Sequence, residues 1–208
     1  MPDMFDNSAV ASDAAHQVHG FTNLNSFSET GGLVLTEGDG VYVKDQSGKR
    51  YFDAVASVCA VALGFSEKEL AKAAYEQMLK LPVYHNIFAS SNLPGIALCD
   101  KLVEIMPEEM NRIFLVNSGS EANDTVVKLV WYYNNALGRP EKKKILSRRG
   151  SYHGSTVATA SLTGLGVAHM GFDVPLDRFV AVDGPDMYNE MEPGETEEAY
   201  AARLIARL

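Results

Sequence analysis

The feature that most constrains this chain is an alternation of short apolar runs, small-residue loops and helix-like segments after residue 111. RIFLV leads into NSGSEAND and then into the helical pattern TVVKLVWYYNNAL. KILS, RRGSYHGS and TVATASL repeat that order, and the apolar run RFVAV follows them. Strand, loop, helix and strand in this order predict parallel βαβ units, and therefore an α/β fold with a mostly parallel sheet and flanking helices.

The first polar loop, NSGSEAND, has two interpretations. Ser118-x-x-Glu121 fits a capping box and Gly119 permits a tight turn, so the loop could serve only to start a helix. The same helix start exposes backbone N–H groups and a partial positive charge, which suit a phosphate. The hydroxyls of Ser118 and Ser120 add donors to that site. Spacing alone leaves both interpretations open.

The second polar loop, SYHGS, places the ring of Tyr152 close to Gly154. It could be a surface tyrosine in a turn, or a flat ring that stacks on a flat ligand while the glycine leaves room. Ligands of open parallel sheets bind beyond the carboxyl ends of the strands, where both loops fall. Together the loops indicate a planar, phosphorylated ligand. The sequence has no P-loop, no G-x-G-x-x-G after a strand and no G-x-S-x-G elbow.

Composition narrows the class of protein. The 208 residues carry a net charge of -9, from 18 basic and 27 acidic side chains, which argues against nucleic acid or an anionic membrane as the main partner. Two cysteines, Cys59 and Cys99, are too few for a disulfide framework. The amino-terminal residues lack a secretory pattern and no apolar run reaches membrane-spanning length. We therefore expect a cytoplasmic protein without a membrane partner.

Upstream of the α/β region the sequence predicts smaller elements. Residues 33–54 predict an antiparallel meander, because three short β-like runs are separated by the turn-forming GDG and QSGK. A capping box, Ser66-x-x-Glu69, predicts a helix that ends before Pro82, and a second helix is expected around 96–105. Thr196 is expected to cap a last helix. No stop signal follows that helix, so we interpret the chain as a truncated segment.

VNSGSEANDTVVK, followed downstream by SYHGST, resembles the class III (omega) aminotransferases, which are pyridoxal-phosphate-dependent enzymes of fold type I. HGFTNLNSF, GDGVYVKDQSGKRYFDAVAS, LGFSEKELAKAA and PVYHNIFASS resemble the amino-terminal part of amine:pyruvate transaminases, in the same order. The resemblance covers nearly the whole chain from about His19. It implies an N-terminal arm (1–32), the N-terminal part of a small domain with meander and helix (33–82), and the first part of an incomplete cofactor-binding large domain (83–208).

The resemblance also implies roles for individual residues. The phosphate of pyridoxal phosphate would bind at Ser118, Gly119 and Ser120, and the ring of Tyr152 would stack on the cofactor. Glu121 would order the loop or act only as the capping acid, and His153 is expected to be structural. The substrate pocket would be lined by Phe21, Cys59 and Phe88, for which ordinary packing is an equal alternative. Many amine transaminases carry a tryptophan where Cys59 stands, and a smaller side chain would enlarge the pocket. No metal ligand set is predicted.

In the family, the Schiff-base lysine and the acid that faces the pyridine nitrogen lie beyond the last residue of this chain. None of the ten lysines stands in the family's lysine context: Lys44, Lys49, Lys68, Lys72, Lys80, Lys101, Lys128, Lys142, Lys143 and Lys144. No catalytic residue is therefore assigned, and the 208 residues alone are expected to be inactive and prone to aggregate.

The function implied by the resemblance is transfer of an amino group from an amine or amino acid to a keto acid. The full-length protein would be a homodimer, because active sites of the family lie at the subunit interface. Two alternatives remain open at this point. One is another fold type I activity, such as a decarboxylase or racemase, which shares the phosphate-binding loop. The other is a non-catalytic protein that binds the cofactor or a partner.

Overall fold

The computed structural model describes residues 9–208, which form two compact units, one ending at Ala97 and the other beginning at Leu98. The first eight residues of the predicted arm lie outside the described residues. The proposed domain boundaries at residues 32 and 82 stay predictions. Within residues 9–208, no helix combines the length and the apolar character needed to cross a membrane.

The first unit begins with two short helices, α1 (Ala9–His16) and α2 (Leu24–Thr30). Asn23 caps α2, because its side-chain oxygen accepts hydrogen bonds from the backbone N–H groups of Asn25 and Ser26. Phe27 on α2 is buried, and its ring lies 4.6 Å from that of His19. The sequence of α1 and α2 lacks helical periodicity. Helix capping and one buried ring, rather than an apolar stripe, therefore stabilise these two helices.

The predicted meander is confirmed as three antiparallel strands, β1 (Leu35–Asp39), β2 (Tyr42–Asp45) and β3 (Arg50–Phe52). Asp45 orders the turn between the last two strands: its carboxylate accepts from the backbone N–H groups of Ser47 and Lys49, at 2.8 and 3.0 Å. The Ser47 hydroxyl and the Tyr51 phenol also donate to it, which lowers the pKa of Asp45 to about 2.

A single left-handed turn, α3 (Ala56–Cys59), follows the meander. All four of its residues have positive φ, from 48° to 64°, a region that costs non-glycine residues energy. Asp53 holds the turn, because its carboxylate accepts from the backbone N–H groups of Val55 and Ser57, at 3.2 and 2.7 Å. The local backbone is thus fixed by side-chain hydrogen bonds against its intrinsic preference.

Two right-handed helices complete this part of the chain, α4 (Lys68–Lys80) and α5 (Leu93–Ile105). The predicted Ser66–Glu69 capping box is wrong: Ser66 has a φ of 66°, and its hydroxyl donates to the carbonyl oxygen of Gly38 instead. As expected, α4 ends before Pro82. α5 begins earlier than expected, because the Asn92 side chain accepts from the Gly95 backbone N–H at 2.9 Å.

From α6 (Gly119–Ala136) onward, the second unit has the predicted alternating order. Its elements are α6, β4 (Ile145–Arg148), α7 (Val157–Leu162), a short 3-10 helix (Gly166–Ala168), β5 (Phe179–Val182), α8 (Met187–Glu190) and α9 (Glu197–Ile205). β4 and β5 pair in parallel, with Ile145 opposite Phe179. The run RIFLV at 112–116 forms no strand, because no strand among residues 9–208 pairs with it.

The core of this unit lies between α6, α7 and β5. Val127, Leu162 and Phe179 are buried together, and Trp131 and Ile145 pack against them. α6 therefore turns one face toward the parallel strands, and Ser120 at its start bonds to Ser155 in the loop that follows β4.

Three successive lysines, Lys142, Lys143 and Lys144, follow α6, and the middle one is half-buried. The indole N–H of Trp131 donates to the carbonyl oxygen of Lys143 at 2.9 Å, and Lys143 Nζ donates to the carbonyl oxygen of Trp131 at 3.1 Å. This reciprocal pair joins α6 to the segment that enters β4.

α9 begins at the predicted cap, where the Thr196 hydroxyl accepts from the Ala199 backbone N–H. Tyr200 is 2% exposed, and its hydroxyl accepts from the Asp186 backbone N–H at 3.0 Å. Arg203 donates two hydrogen bonds to Glu195, both 2.8 Å long. These donors, with the backbone N–H of Glu192, lower the pKa of Glu195 to about 2. Side-chain hydrogen bonds therefore anchor the last helix.

Candidate functional site

The start of α6 is capped by one half of the predicted capping box. Ser118 has extended backbone angles, and its hydroxyl oxygen accepts from the Glu121 backbone N–H at 3.1 Å. The reciprocal bond is absent, because the Glu121 carboxylate accepts instead from the backbone N–H and the side-chain amide of Asn117, at 2.8 and 3.1 Å. Glu121 thus orders the residue that enters the cap and leaves the Ser118 N–H untouched.

Three successive backbone N–H groups are left at this helix start. Within residues 9–208, the N–H groups of Ser118, Gly119 and Ser120 donate to no other group of the chain. A Cβ built on Gly119 would meet no atom within 4 Å, so the space beside it is open. Because the N–H groups stand at the positive end of an 18-residue helix, they make this helix start a candidate site for an anion.

The two serine hydroxyls strengthen this site. Ser118 Oγ accepts from the Glu121 N–H, and Ser120 Oγ accepts from the Ser155 N–H at 3.1 Å. A hydroxyl that accepts through its oxygen keeps its own hydrogen for donation. Up to five donors, three N–H and two O–H, are thereby available in one short segment, which matches the acceptor oxygens of a phosphate group.

The loop with Tyr152 is tied directly to α6. Asn123 Nδ2 donates to the carbonyl oxygen of His153 at 2.8 Å, and the Thr156 hydroxyl donates to Asp124 Oδ1 at 2.9 Å. With the bond from Ser155 to Ser120, three side chains of one helix face hold the loop. The two loops singled out in the sequence are therefore in contact. Tyr152 is 57% exposed, which leaves ring surface for a ligand.

α7 holds the same loop from its other side. The Thr163 hydroxyl, in a residue 1% exposed, accepts from the His153 N–H at 3.0 Å and lies 3.1 Å from the Gly154 carbonyl oxygen, to which it donates. The fully buried Thr159 accepts from the Thr156 N–H at 3.0 Å. Gly154 has a φ of 138°, and a Cβ there would overlap Ser120 Oγ and Thr159 Oγ1. Only glycine fits this contact.

Sequence reasoning did not identify the four residues that hold the loop: Asn123, Asp124, Thr159 and Thr163. A signal was present, because polar residues at a three- or four-residue spacing recur on both helices next to the loop. The ring of His153 lies within hydrogen-bond distance of the Ser151 hydroxyl, at 3.0 Å, which agrees with a structural role for this histidine. Within residues 9–208, no group of three or more His, Cys, Asp or Glu side chains is placed to hold a metal ion.

The predicted pocket residues lie in the first unit and share one backbone property. Phe21, Cys59 and Phe88 all have positive φ, of 52°, 64° and 53°. All three are exposed, and the ring of Phe88 meets that of His85 edge-on at 6.3 Å. Left-handed backbone at bulky residues is uncommon and concentrates at ligand sites. Their role in a pocket stays a prediction.

The fold and the site define an α/β protein that presents a helix start rich in N–H and O–H donors beside an exposed aromatic ring. The model of the family described as aminotransferase class-III matches residues 26–208. The chain belongs to the class III aminotransferases, a family that uses pyridoxal phosphate.

Individual relatives agree with that assignment. The chain is 49% identical over 177 residues to gamma-aminobutyrate transaminase 1, mitochondrial, of Oryza sativa subsp. indica; the match covers 85% of this chain and 34% of the relative. The omega transaminase of Pseudomonas jessenii in complex with PMP superposes with a TM-score of 0.93 at 48% identity, over 96% of this chain and 44% of the other. The PMP-bound aminotransferase of Vibrio fluvialis gives 0.90 at 40% identity, with the same coverage. The chain thus spans between a third and a half of the length of these relatives.

Proposed function

We propose that the complete protein is a transaminase that moves an amino group from an amine or amino acid to a keto acid with pyridoxal phosphate. The observation that carries the proposal is the row of three N–H groups at Ser118, Gly119 and Ser120, tied by Ser120 to the loop that presents Tyr152. Neither feature alone would select this cofactor. Their contact offers a phosphate site and an aromatic ring on one rigid support, which a planar phosphorylated ligand requires.

The residues present fit the cofactor. Gly119 leaves open space at the helix start. The hydroxyl oxygens of Ser118 and Ser120 accept hydrogen bonds, so their own hydrogens remain for donation beside the backbone N–H groups. Ser118, Gly119 and Ser120 would hold the phosphate, and Tyr152 would cover one face of the ring. When bound, pyridoxal phosphate supplies the electron sink for breaking bonds at the substrate carbon that carries the amine. The chain's own contribution is to bind and orient it.

Phe21, Cys59 and Phe88 are proposed to line the substrate pocket. Their left-handed backbone supports the proposal, since strain of this kind needs a compensating reason. A tryptophan in place of Cys59 would fill space that the thiol leaves open. We therefore expect Cys59→Trp in the complete gene product to raise KM for amines with large substituents more than for small ones.

We also propose a domain organisation, an oligomeric state and a cellular location for the complete protein. Residues 33–82 would belong to a small domain and 83–208 to a large domain whose mostly parallel sheet includes β4 and β5. The complete protein would be a cytoplasmic homodimer, testable by light scattering and cell fractionation. The 208 residues alone would lack transaminase activity, since none of their lysines stands in the family's context for the reactive lysine.

The direct test is cofactor binding by the complete gene product, followed by amino transfer from a panel of amines to a keto acid. Ser120→Ala and Tyr152→Ala are each expected to weaken binding of pyridoxal phosphate. Cofactor affinity equal to wild type in both variants would contradict the site. Cofactor binding without amino transfer to any keto acid would favour a different activity on the same fold.

A further inference from the structure

We propose that Asn123 and Asp124 are positioning residues that set the place of Tyr152 relative to the phosphate-binding start of α6. The inference rests on the proposed function, because it takes the start of α6 as the phosphate site and Tyr152 as the ring contact. The two residues follow Ser120 by three and four positions, so all three side chains share one helix face. Each of the three bonds to the segment 153–156, next to Tyr152.

The two bonds lie where a hinge would otherwise form. Asn123 holds the carbonyl oxygen of His153, the residue directly after Tyr152, at 2.8 Å. Asp124 holds the Thr156 hydroxyl, which also caps α7, at 2.9 Å. Between them lies Gly154, which has no side chain to restrict its backbone angles. Without these bonds, the loop would keep its contacts with Thr163, and among the hydrogen bonds of the described residues only the one from Ser155 to Ser120 would tie it to α6. The loop could then shift together with α7 relative to the start of α6.

A rigid ligand makes that movement costly. The distance between the phosphate and the ring of pyridoxal phosphate is fixed by its covalent structure, so both contacts form together only at one spacing of helix start and loop. Asn123 and Asp124 therefore act through Tyr152 and touch neither the phosphate nor the ring. Their loss should weaken ring stacking and leave phosphate binding intact, a separation that a general loss of stability would not produce.

Asn123 donates its hydrogen bond and Asp124 accepts its own, so the two positions allow matched substitutions. Asn123 is a donor, so Asn123→Asp would set a carboxylate oxygen against the carbonyl oxygen of His153. Asp124 is an acceptor, so Asp124→Asn keeps a carbonyl oxygen for the Thr156 hydroxyl, whereas Asp124→Ala removes it. Lys128→Ala, on an exposed residue one turn further along α6, serves as control for a change on this helix.

The experiment uses the complete gene product and three measurements: the Kd of pyridoxal phosphate, the induced circular dichroism of its ring, and the Kd of inorganic phosphate. Asn123→Asp and Asp124→Ala are expected to weaken cofactor binding about tenfold and to reduce the ring signal, with phosphate affinity within about twofold of wild type. Asp124→Asn and Lys128→Ala should match wild type in all three measurements.

Two results would overturn the inference. Cofactor affinity and ring signal unchanged in Asn123→Asp would show that the bond to His153 does not place Tyr152. A parallel fall of phosphate and cofactor affinity would show that the substitution disturbs the whole site. If the wild-type protein binds no pyridoxal phosphate, the proposed function itself fails before any variant is compared.

Discussion

The backbone N–H of Ser155 donates to the hydroxyl oxygen of Ser120 over 3.1 Å, so the second residue of α6 serves both the helix start and the neighbouring loop. Ser120→Ala removes the acceptor for Ser155 and a donor for a bound phosphate. We expect at least a tenfold loss of affinity for pyridoxal phosphate, because hydrogen bonds to charged groups contribute about 1.5–3 kcal/mol. Equilibrium titration of the complete gene product measures it. Ser118→Thr, which keeps a capping hydroxyl, should bind normally.

Gly154→Ala should destabilise the protein strongly. The added Cβ overlaps Ser120 Oγ and Thr159 Oγ1, and the φ of 138° disfavours any side chain. We expect a loss of about 3 kcal/mol in the free energy of unfolding, measured in urea. Gly150→Ala separates the two causes, because Gly150 also has positive φ but no atom within 4 Å of its Cβ position. It should cost about 1 kcal/mol. Equal losses in the two variants would argue against the overlap.

Thr163→Val should destabilise the loop by removing one hydroxyl from a buried position. The hydroxyl accepts from the His153 N–H, which would then lose its acceptor in a partly buried position. Such a group costs about 1–3 kcal/mol, and hydrogen exchange at His153 should accelerate to match. Thr163→Ser restores the hydroxyl and should recover most of the protection. If the Val and Ser variants behave alike, packing rather than hydrogen bonding holds the loop.

The pair of Glu195 and Arg203 should make α9 sensitive to acid. The pKa of Glu195 is lowered from 4.5 to about 2, so its contribution is fully present above pH 4.5 and is lost as pH falls toward 2. Hydrogen exchange at Glu197–Ile205, corrected for intrinsic rates, should show reduced protection across that interval. Glu195→Gln should start with less protection at pH 6 and change less between pH 4.5 and 2. If Glu195→Gln keeps the wild-type pH profile, a group other than Glu195 causes the acid sensitivity of α9.

The 208 residues on their own should associate in solution. In the described part of the chain many large apolar side chains are exposed, including Leu129 at 57% on α6 and Met78 at 63% on α4. We expect growing light scattering and binding of an apolar dye at micromolar concentration. A monodisperse monomer that excludes the dye would contradict this expectation.

The sequence predicted the meander, the parallel βαβ order and the ends of several helices, because turn residues, prolines and apolar periodicity act locally. It failed where distant groups compete for one atom. Ser66 matches a capping pattern, yet its hydroxyl bonds to Gly38, far away in the chain. RIFLV has strand composition, but a strand exists only when another strand pairs with it.

The candidate site shows the same division. Ser118, Gly119, Ser120 and Tyr152 stand in local patterns that the sequence shows directly, and their role in binding stays a prediction. The spacing of polar residues marks the helix face that carries Asn123 and Asp124, but it does not name their partners, because the bonds to the loop depend on how α6 packs against residues about 30 positions away. Glu121 looked like a capping acid, and only the structure reveals that it bonds to Asn117.

The left-handed turn α3 has a consequence for any attempt to vary the residues around Cys59. In an ordinary helix glycine is the disruptive substitution and a β-branched residue is tolerated; at Ala56–Cys59 the backbone reverses that ranking. Val58 has a φ of 57°, and a β-branched residue is among the least favourable residues for that backbone conformation. In a mutant library over these four positions, the stability of each variant would therefore depend first on how well its residue tolerates a left-handed backbone, and only then on the volume of its side chain.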